Sequence, residues 1–80
     1  MTKLPTKISW KKIVKILEKK NFRFSSQRGS HYVMINDQDY NPPRIVTIIM
    51  KNKYKKHTLS SILNEAGIGR DEFLKLLRKK

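Results

Sequence analysis

Cysteine is missing from this chain of 80 residues. That absence excludes a disulfide framework, a thiolate zinc site and a thiol nucleophile. Acid is scarce: six Asp and Glu stand against 19 Lys and Arg, a formal net charge of +13 at pH 7. Histidine occurs twice, as His31 and His57, and neither has a second histidine or a carboxylate at ligand spacing, so no metal site is expected. No apolar run approaches the roughly 18 residues of a membrane span, and no apolar leader opens the chain, which points to the cytoplasm. No loop of the Gly-x-x-x-x-Gly-Lys type is present to cradle a nucleoside triphosphate.

What is present is a patterned apolar fraction of 38%, so the charge does not signal disorder. Residues 1–80 read as one domain without linker, repeat or low-complexity tract. A chain of this size buries only about 60% of its unfolded surface, so the core is modest. A small folded domain this basic is suited to a polyanion, nucleic acid first and an anionic membrane surface second.

Residues 1–8 form a basic lead-in, with Pro5 unsuited to a helix interior. Ser9 is an N-cap for a helix with Ile13, Val14 and Leu17 on one face and Ile16 beside them. Lys11, Lys12, Lys15 and Lys19 make the other face. Lys11 and Lys12 stand in the first turn, where the helix dipole favours acids, and no Glu completes a capping box. A local rule broken without structural gain points to a functional surface. Asn21 suits a left-handed helix end.

Phe22 and Phe24 alternate with Arg23 and Ser25, the period of a half-buried strand over 22–27. Arg28 and Gly29 mark a tight turn into an antiparallel strand over 30–35. A polar loop, 36–43, closes on two prolines. The third strand, 44–50, is apolar at nearly every residue, which places it in the middle of the sheet or under cover. A basic loop follows and ends at His57. A helix from Thr58 carries Leu59, Ile62, Leu63 and Ala66 on one side and stops at Gly67. Gly69 caps a last helix over 70–78. Asp71 and Glu72 stand at its start and Arg78, Lys79 and Lys80 at its end, as the dipole favours, with Phe73, Leu74 and Leu77 inside. The order α-β-β-β-α-α, with helices on one face of a three-stranded antiparallel sheet, is an α+β domain.

His31 is the sharpest candidate for chemistry. It follows Arg28-Gly29-Ser30 at a hairpin mouth, where a side chain on the sheet rim is open to solvent and substrate. Imidazole exchanges protons near neutral pH and serves as a general base, and Arg28 is near enough to hold a phosphate. Strict alternation groups His31 with Val33 and Ile35, which are expected in the core, although a first strand position can still emerge at the rim. Lys51, Lys53, Lys55 and Lys56 read equally as a solvated loop or as a phosphate-binding loop leading into a helix N-terminus. Trp10 and Tyr32 can stack on bases, although Trp10 reads better as a lid on the core. Asp37 and Asp39 read as loop acids rather than a catalytic pair.

Leu4-Pro5, the helix over 9–17, Phe22 and the block Gln27-Arg28-Gly29-Ser30-His31 are followed by Thr58-Leu59-Ser60-Ser61-Ile62-Leu63, Ala66-Gly67-Ile68 and Glu72-Phe73-Leu74. In this order and spacing the chain resembles the HicA toxins of prokaryotic toxin–antitoxin pairs. The resemblance implies a double-stranded-RNA-binding-domain-like fold. It also implies a metal-independent, cofactor-free endoribonuclease that cleaves mRNA and arrests translation and growth. A HicB-type antitoxin is then the partner that masks the active site. The family's catalytic histidine falls on His31, with Gly29 and Ser30 as positioning residues. Arg28, Lys11, Lys12, Lys51, Lys53, Lys55 and Lys56 are the cations expected to hold RNA. Many members carry a histidine after the third strand, where Met50-Lys51 stands here, and a glycine where His57 stands, so no second catalytic histidine is carried over. The alternative reading is a non-catalytic double-stranded-RNA-binding module of the same fold. A third is a basic protein of DNA or the ribosome without chemistry.

Overall fold

The computed structural model describes residues 5–78. Residues 1–4, Leu4 among them, and Lys79 and Lys80 at the end of the last helix lie outside the described residues. Ser9 is extended and its hydroxyl accepts the Lys11 amide at 3.3 Å, which starts α1, Trp10–Glu18. The helix is closed by Asn21 at φ 71°, with Phe22 N–H bonded back to the Leu17 carbonyl at 3.0 Å and Asn21 N–H to Glu18 at 3.2 Å. These are the paired bonds of a Schellman closure, and the buried Phe22 and Leu17 supply its apolar contact. The same closure ends α2, Lys56–Ala66, where Gly67 sits at φ 72° and Ile68 N–H reaches the Leu63 carbonyl at 3.0 Å.

Three strands form one antiparallel sheet in the order β1-β2-β3, with β1 Arg23–Arg28, β2 His31–Asn36 and β3 Arg44–Ile49. The β1–β2 turn is made by Gly29 and Ser30, one residue later than the sequence suggested. Gly29 has φ 54°, the positive angle that a two-residue hairpin loop requires at its first position. A break in register between Phe24 and Ser26 bends β1. Strand β3 is an edge strand, so its apolar run reflects cover rather than a central place. The cover is α2 and the segment before it: Glu65 Oε1 accepts the Thr47 amide at 3.4 Å, and the Tyr54 hydroxyl donates to the Ile49 carbonyl. Helix α2 begins at Lys56, two residues earlier than Thr58, so Lys56 and His57 are helical rather than loop.

One apolar core lies between the helices and one face of the sheet. Met34, Val46 and Ile48 face Ile13, Ile16 and Leu17 of α1, Leu59 and Ile62 of α2, and Phe73 of α3, Arg70–Arg78. Full burial of each such side chain contributes about 1.5–3 kcal/mol. This is the α-β-β-β-α order of the double-stranded-RNA-binding domain with one helix added.

The expected core face of β2 is reversed. Met34 is fully buried and Asn36 is 1% exposed, whereas Val33 and Ile35 lie with His31 on the other face, away from the core. Apolar residues occupy both faces of this strand, so alternation alone could not choose between them. Pairing with Val46 and Ile48 settles the choice. Strand β1 also departs from the half-buried expectation: all six of its residues are exposed, and the buried Phe22 precedes it.

Candidate active site

The sheet register builds the site. Arg28 stands opposite His31, and His31 opposite Ile49, so the three form a row across the open face at the hairpin end. Directly opposed residues carry Cβ atoms about 5 Å apart on the same face, so the Arg28 and His31 side chains leave the sheet side by side. His31 is exposed. It keeps the company of Val33 and Ile35 that alternation gives it, and it is open to solvent because that face of β2 is not the core face.

A cleft of about 260 Å³ opens beside this row, between the sheet and α2. His31, Thr47 and Ile49 line it from the sheet, and Thr58, Ser61, Ile62 and Glu65 line it from α2. Thr58, Ser61, Ile62 and Glu65 follow the i, i+3, i+4, i+7 spacing of one helix stripe. Sequence reasoning missed this wall because a stripe of hydroxyls and one acid reads as a solvated face. The spacing was the only signal. A larger hollow of about 520 Å³ runs along Asp71, Glu72, Leu74, Lys75 and Arg78 of α3 and contains neither histidine. Among the described residues no three His, Asp or Glu side chains come together as metal ligands.

Backbone hydrogen bonds gather the basic residues at the hairpin end. Met50 N–H bonds the Ser30 carbonyl at 2.8 Å, and Trp10 N–H bonds the Lys51 carbonyl at 3.0 Å. The start of α1, the end of β3 and the hairpin turn therefore meet there. Tyr54 N–H to Thr6 O at 2.8 Å adds the segment leading into α2. Arg28, Lys11, Lys12, Lys51, Lys53, Lys55 and Lys56 all belong to this end, and Lys51 Nζ lies 5.3 Å from the Tyr54 ring centroid. The sheet divides them. Arg28 shares the open face with His31, and Lys55 and Lys56 begin the helix that walls the cleft. Lys11 and Lys12 lie on α1, across the sheet. His57 sits in the first turn of α2 and does not line the cleft.

The acids occupy the opposite end. Glu18 ends α1, Asp37 and Asp39 lie in the β2–β3 loop, and Asp71 and Glu72 open α3. Glu65, on the cleft wall, is the exception. The loop acids are structural, as expected. Arg23 donates to Asp37 at 2.7 Å and holds that carboxyl below its ordinary value. The Asn21 and Asn36 amides do the same for Asp39, at 2.9 and 3.1 Å. Glu72 bonds Lys20 and raises its ammonium above the ordinary value. The two ion pairs among the described residues, Lys20–Glu72 and Arg23–Asp37, both lie at this far end, so the cations around the hairpin have no carboxylate partner there.

The family model described as HicA toxin of bacterial toxin-antitoxin matches residues 10–68, well over half of the chain. That span holds the Gly29-Ser30-His31 turn, the whole sheet and α2. No curated protein matches the chain.

Proposed function

Because the chain belongs to the HicA toxin family of bacterial toxin–antitoxin systems, we propose that it acts as a toxin by cutting mRNA, with His31 as the catalytic base and without a metal ion. The observation that carries this reading is the row Arg28–His31–Ile49 at the mouth of the α2 cleft. It pairs the exposed His31 with Arg28 on one face, at the end of the molecule where the described ion pairs are absent. RNA differs from DNA by a 2′-hydroxyl next to each phosphodiester. His31 takes that proton, the 2′-oxygen bonds to the adjacent phosphorus, and the bond from phosphorus to the 5′-oxygen breaks. The products are a 2′,3′-cyclic phosphate and a 5′-hydroxyl end. Arg28 offsets charge on the phosphoryl oxygens as they become more negative. A single imidazole lines the cleft, so the leaving 5′-oxygen takes its proton from water. One positioned proton transfer contributes about 10² to 10⁴ in rate, which suits a slow enzyme.

Gly29 and Ser30 set the turn that presents His31. Lys51, Lys53, Lys55 and Lys56 hold phosphates on the cleft side, and Lys11 and Lys12 on the far side of the sheet. Lys55, the N-cap of α2, supplies no capping side chain, so the first-turn amides there are available to a phosphate.

A toxin of this family has an antitoxin partner. We assign that role to a HicB-type protein that covers His31. The open sheet face suits such a partner: Ile45 is 56% exposed, and Val33 and Ile35 lie beside it. A +13 surface favours an acidic one. None of the described helices is long and apolar enough to cross a membrane, and an mRNA target places the protein in the cytoplasm.

The test is a single-stranded transcript incubated with the protein in excess EDTA, beside His31→Ala. Cleavage by the parent alone, leaving cyclic-phosphate ends, is the expected result. A transcript bound by both and cut by neither would make the chain a non-catalytic RNA-binding module. Cutting of DNA, or cutting that stops in EDTA, would overturn the 2′-hydroxyl mechanism.

A further inference from the structure

An aromatic row crosses the helix side of the hairpin, on the sheet face opposite His31. Trp10, the first residue of α1, packs on Tyr32 of β2 with ring centroids 5.2 Å apart and planes tilted by 48°. Tyr32 packs in turn on Phe24 of β1 at 5.1 Å and 51°. The inner end of the row is anchored, because Trp10 and Tyr32 are half-buried against the core. The outer end is open. Phe24 stands opposite the fully buried Met34, yet it is 50% exposed, because no helix extends over β1.

Covering that phenyl would add apolar burial at about 25 cal/mol per Å². The fold leaves it uncovered, and cations stand at the inner, Trp10 end of the row. Lys11 Nζ lies 6.0 Å from the Trp10 ring centroid, and Lys51 is tied by its carbonyl to the Trp10 amide at 3.0 Å. An accessible aromatic face among phosphate-binding cations is the arrangement that holds unpaired bases, since any base can stack on the ring while its backbone meets the charges. A duplex offers no such base face, because its bases are already stacked on one another.

The geometry points to Phe24 as a stacking platform for an unpaired nucleobase of single-stranded RNA, backed by Tyr32 and Trp10, with Lys11 at the Trp10 end of the row. This deepens the proposed function, on which it rests, by naming a substrate contact remote from the cleavage chemistry. His31 and Tyr32 are chain neighbours on opposite faces of β2. A strand that seats a base on Phe24 therefore turns round the sheet, over the Gly29–Ser30 tip or the β1 edge, before its backbone reaches His31.

The test uses the His31→Ala protein, so that bound RNA stays intact, and reads the anisotropy of a labelled oligouridylate and of a labelled RNA duplex. Phe24→Leu keeps an apolar side chain of similar size but removes the ring. Its circular dichroism should match the parent, since the site is half exposed. Single-strand affinity should fall about tenfold, one good base stack, with the salt dependence unchanged. Phe24→Trp should retain affinity, and duplex affinity should not move.

A Phe24→Leu protein that binds oligouridylate as tightly as the parent overturns the platform. So does an equal loss on single strand and duplex. A Phe24→Leu loss seen with a co-expressed antitoxin and not with RNA also overturns it, and makes the row a protein surface. Parallel cleavage by the His31-containing chain separates the two readings. Cutting with unchanged Phe24→Leu binding removes the platform alone. Stacking-dependent binding without cutting supports the platform and removes the nuclease.

Discussion

Tyr54 donates its hydroxyl hydrogen to the carbonyl of Ile49, the residue that stands opposite His31 in the sheet. The phenol is 2% exposed, and its own amide is tied to Thr6. One buried side chain thus fastens the basic 51–55 segment to the strand end that forms the row with His31. It also satisfies a carbonyl on the outer edge of β3 that no strand reaches. Tyr54 therefore links the core to the basic 51–55 segment.

Tyr54→Phe keeps the ring and removes that link. An unsatisfied buried carbonyl costs about 1–3 kcal/mol, which thermal or urea unfolding will read directly. The 51–55 lysines should then hold RNA less tightly, while the Arg28–His31–Ile49 row keeps its register. Burial pushes the Tyr54 phenol above its ordinary value of 10.0. The folded state thus prefers the neutral form, so its contribution is complete below pH 10 and is lost as pH rises through the raised value. Tyr54→Phe removes that alkaline loss. An unfolding midpoint equally pH-dependent above pH 10 in both proteins would contradict this.

The far end of the sheet carries an acid-sensitive hub. Asn36 is buried, accepts the amides of Gln38 and Asp39 at 3.1 and 3.0 Å, and donates to the Lys20 carbonyl and to Asp39. The Asp39 carboxyl lies below its ordinary value of 3.8, chiefly through the Asn21 amide and then Asn36. Its contribution is therefore full above that value and drains away as pH falls through the lowered one. Asp39→Asn keeps an acceptor oxygen but cannot titrate. Urea midpoints of the parent and this variant, followed as pH falls from neutral through the lowered value, should converge at the acid end. Asn36→Ala, which strands several partners at once, should cost about 1–3 kcal/mol at neutral pH.

Asn36 also shows where the sequence stops being informative. The element order, the Ser9 cap, the left-handed Asn21 and the Gly67 stop are local signals, and local geometry realises each of them. Asn36 reads as the first residue of a polar loop, because nothing local says that the inward face of β2 continues to it. The same ambiguity reversed Val33 and Ile35 with respect to Met34. It is resolved only by partners distant in sequence, Val46 and Ile48. His31 was legible from its turn and from the resemblance. The cleft was not, since Thr47 on β3 and Thr58, Ser61 and Glu65 on α2 come beside His31 only through the packing of α2 along the β3 edge.

The division of the cations by the sheet makes a measurable claim about RNA binding. Each phosphate contact on a single strand contributes roughly 0.7 to the slope of log affinity against log salt. Lys11→Gln with Lys12→Gln, and separately Lys55→Gln with Lys56→Gln, should each lower the slope by up to about 1.4 in the His31→Ala background. Lys75→Gln, on the exposed side of α3, should leave it unchanged. If the α1 pair has no effect while the α2 pair does, RNA is confined to the cleft face and does not cross the hairpin.

Ile45 separates the toxin's two surfaces. It is 56% exposed on β3, on the same open face as His31 but at the far end of the strand, opposite Ile35. Substitution of a side chain this exposed changes stability by about 0.5 kcal/mol or less. Neither the cleft lining nor the basic end includes it, so Ile45→Glu should fold and cut RNA as the parent does. A partner that masks His31 by lying along the open face has to cover Ile45. A buried carboxylate there, facing an acidic partner, is costly through both desolvation and repulsion. Co-expression with the antitoxin should then fail to suppress the toxicity of Ile45→Glu while still suppressing the parent. Full suppression of both would move the antitoxin off the sheet face and onto α2 or the hairpin tip, where it could still close the cleft.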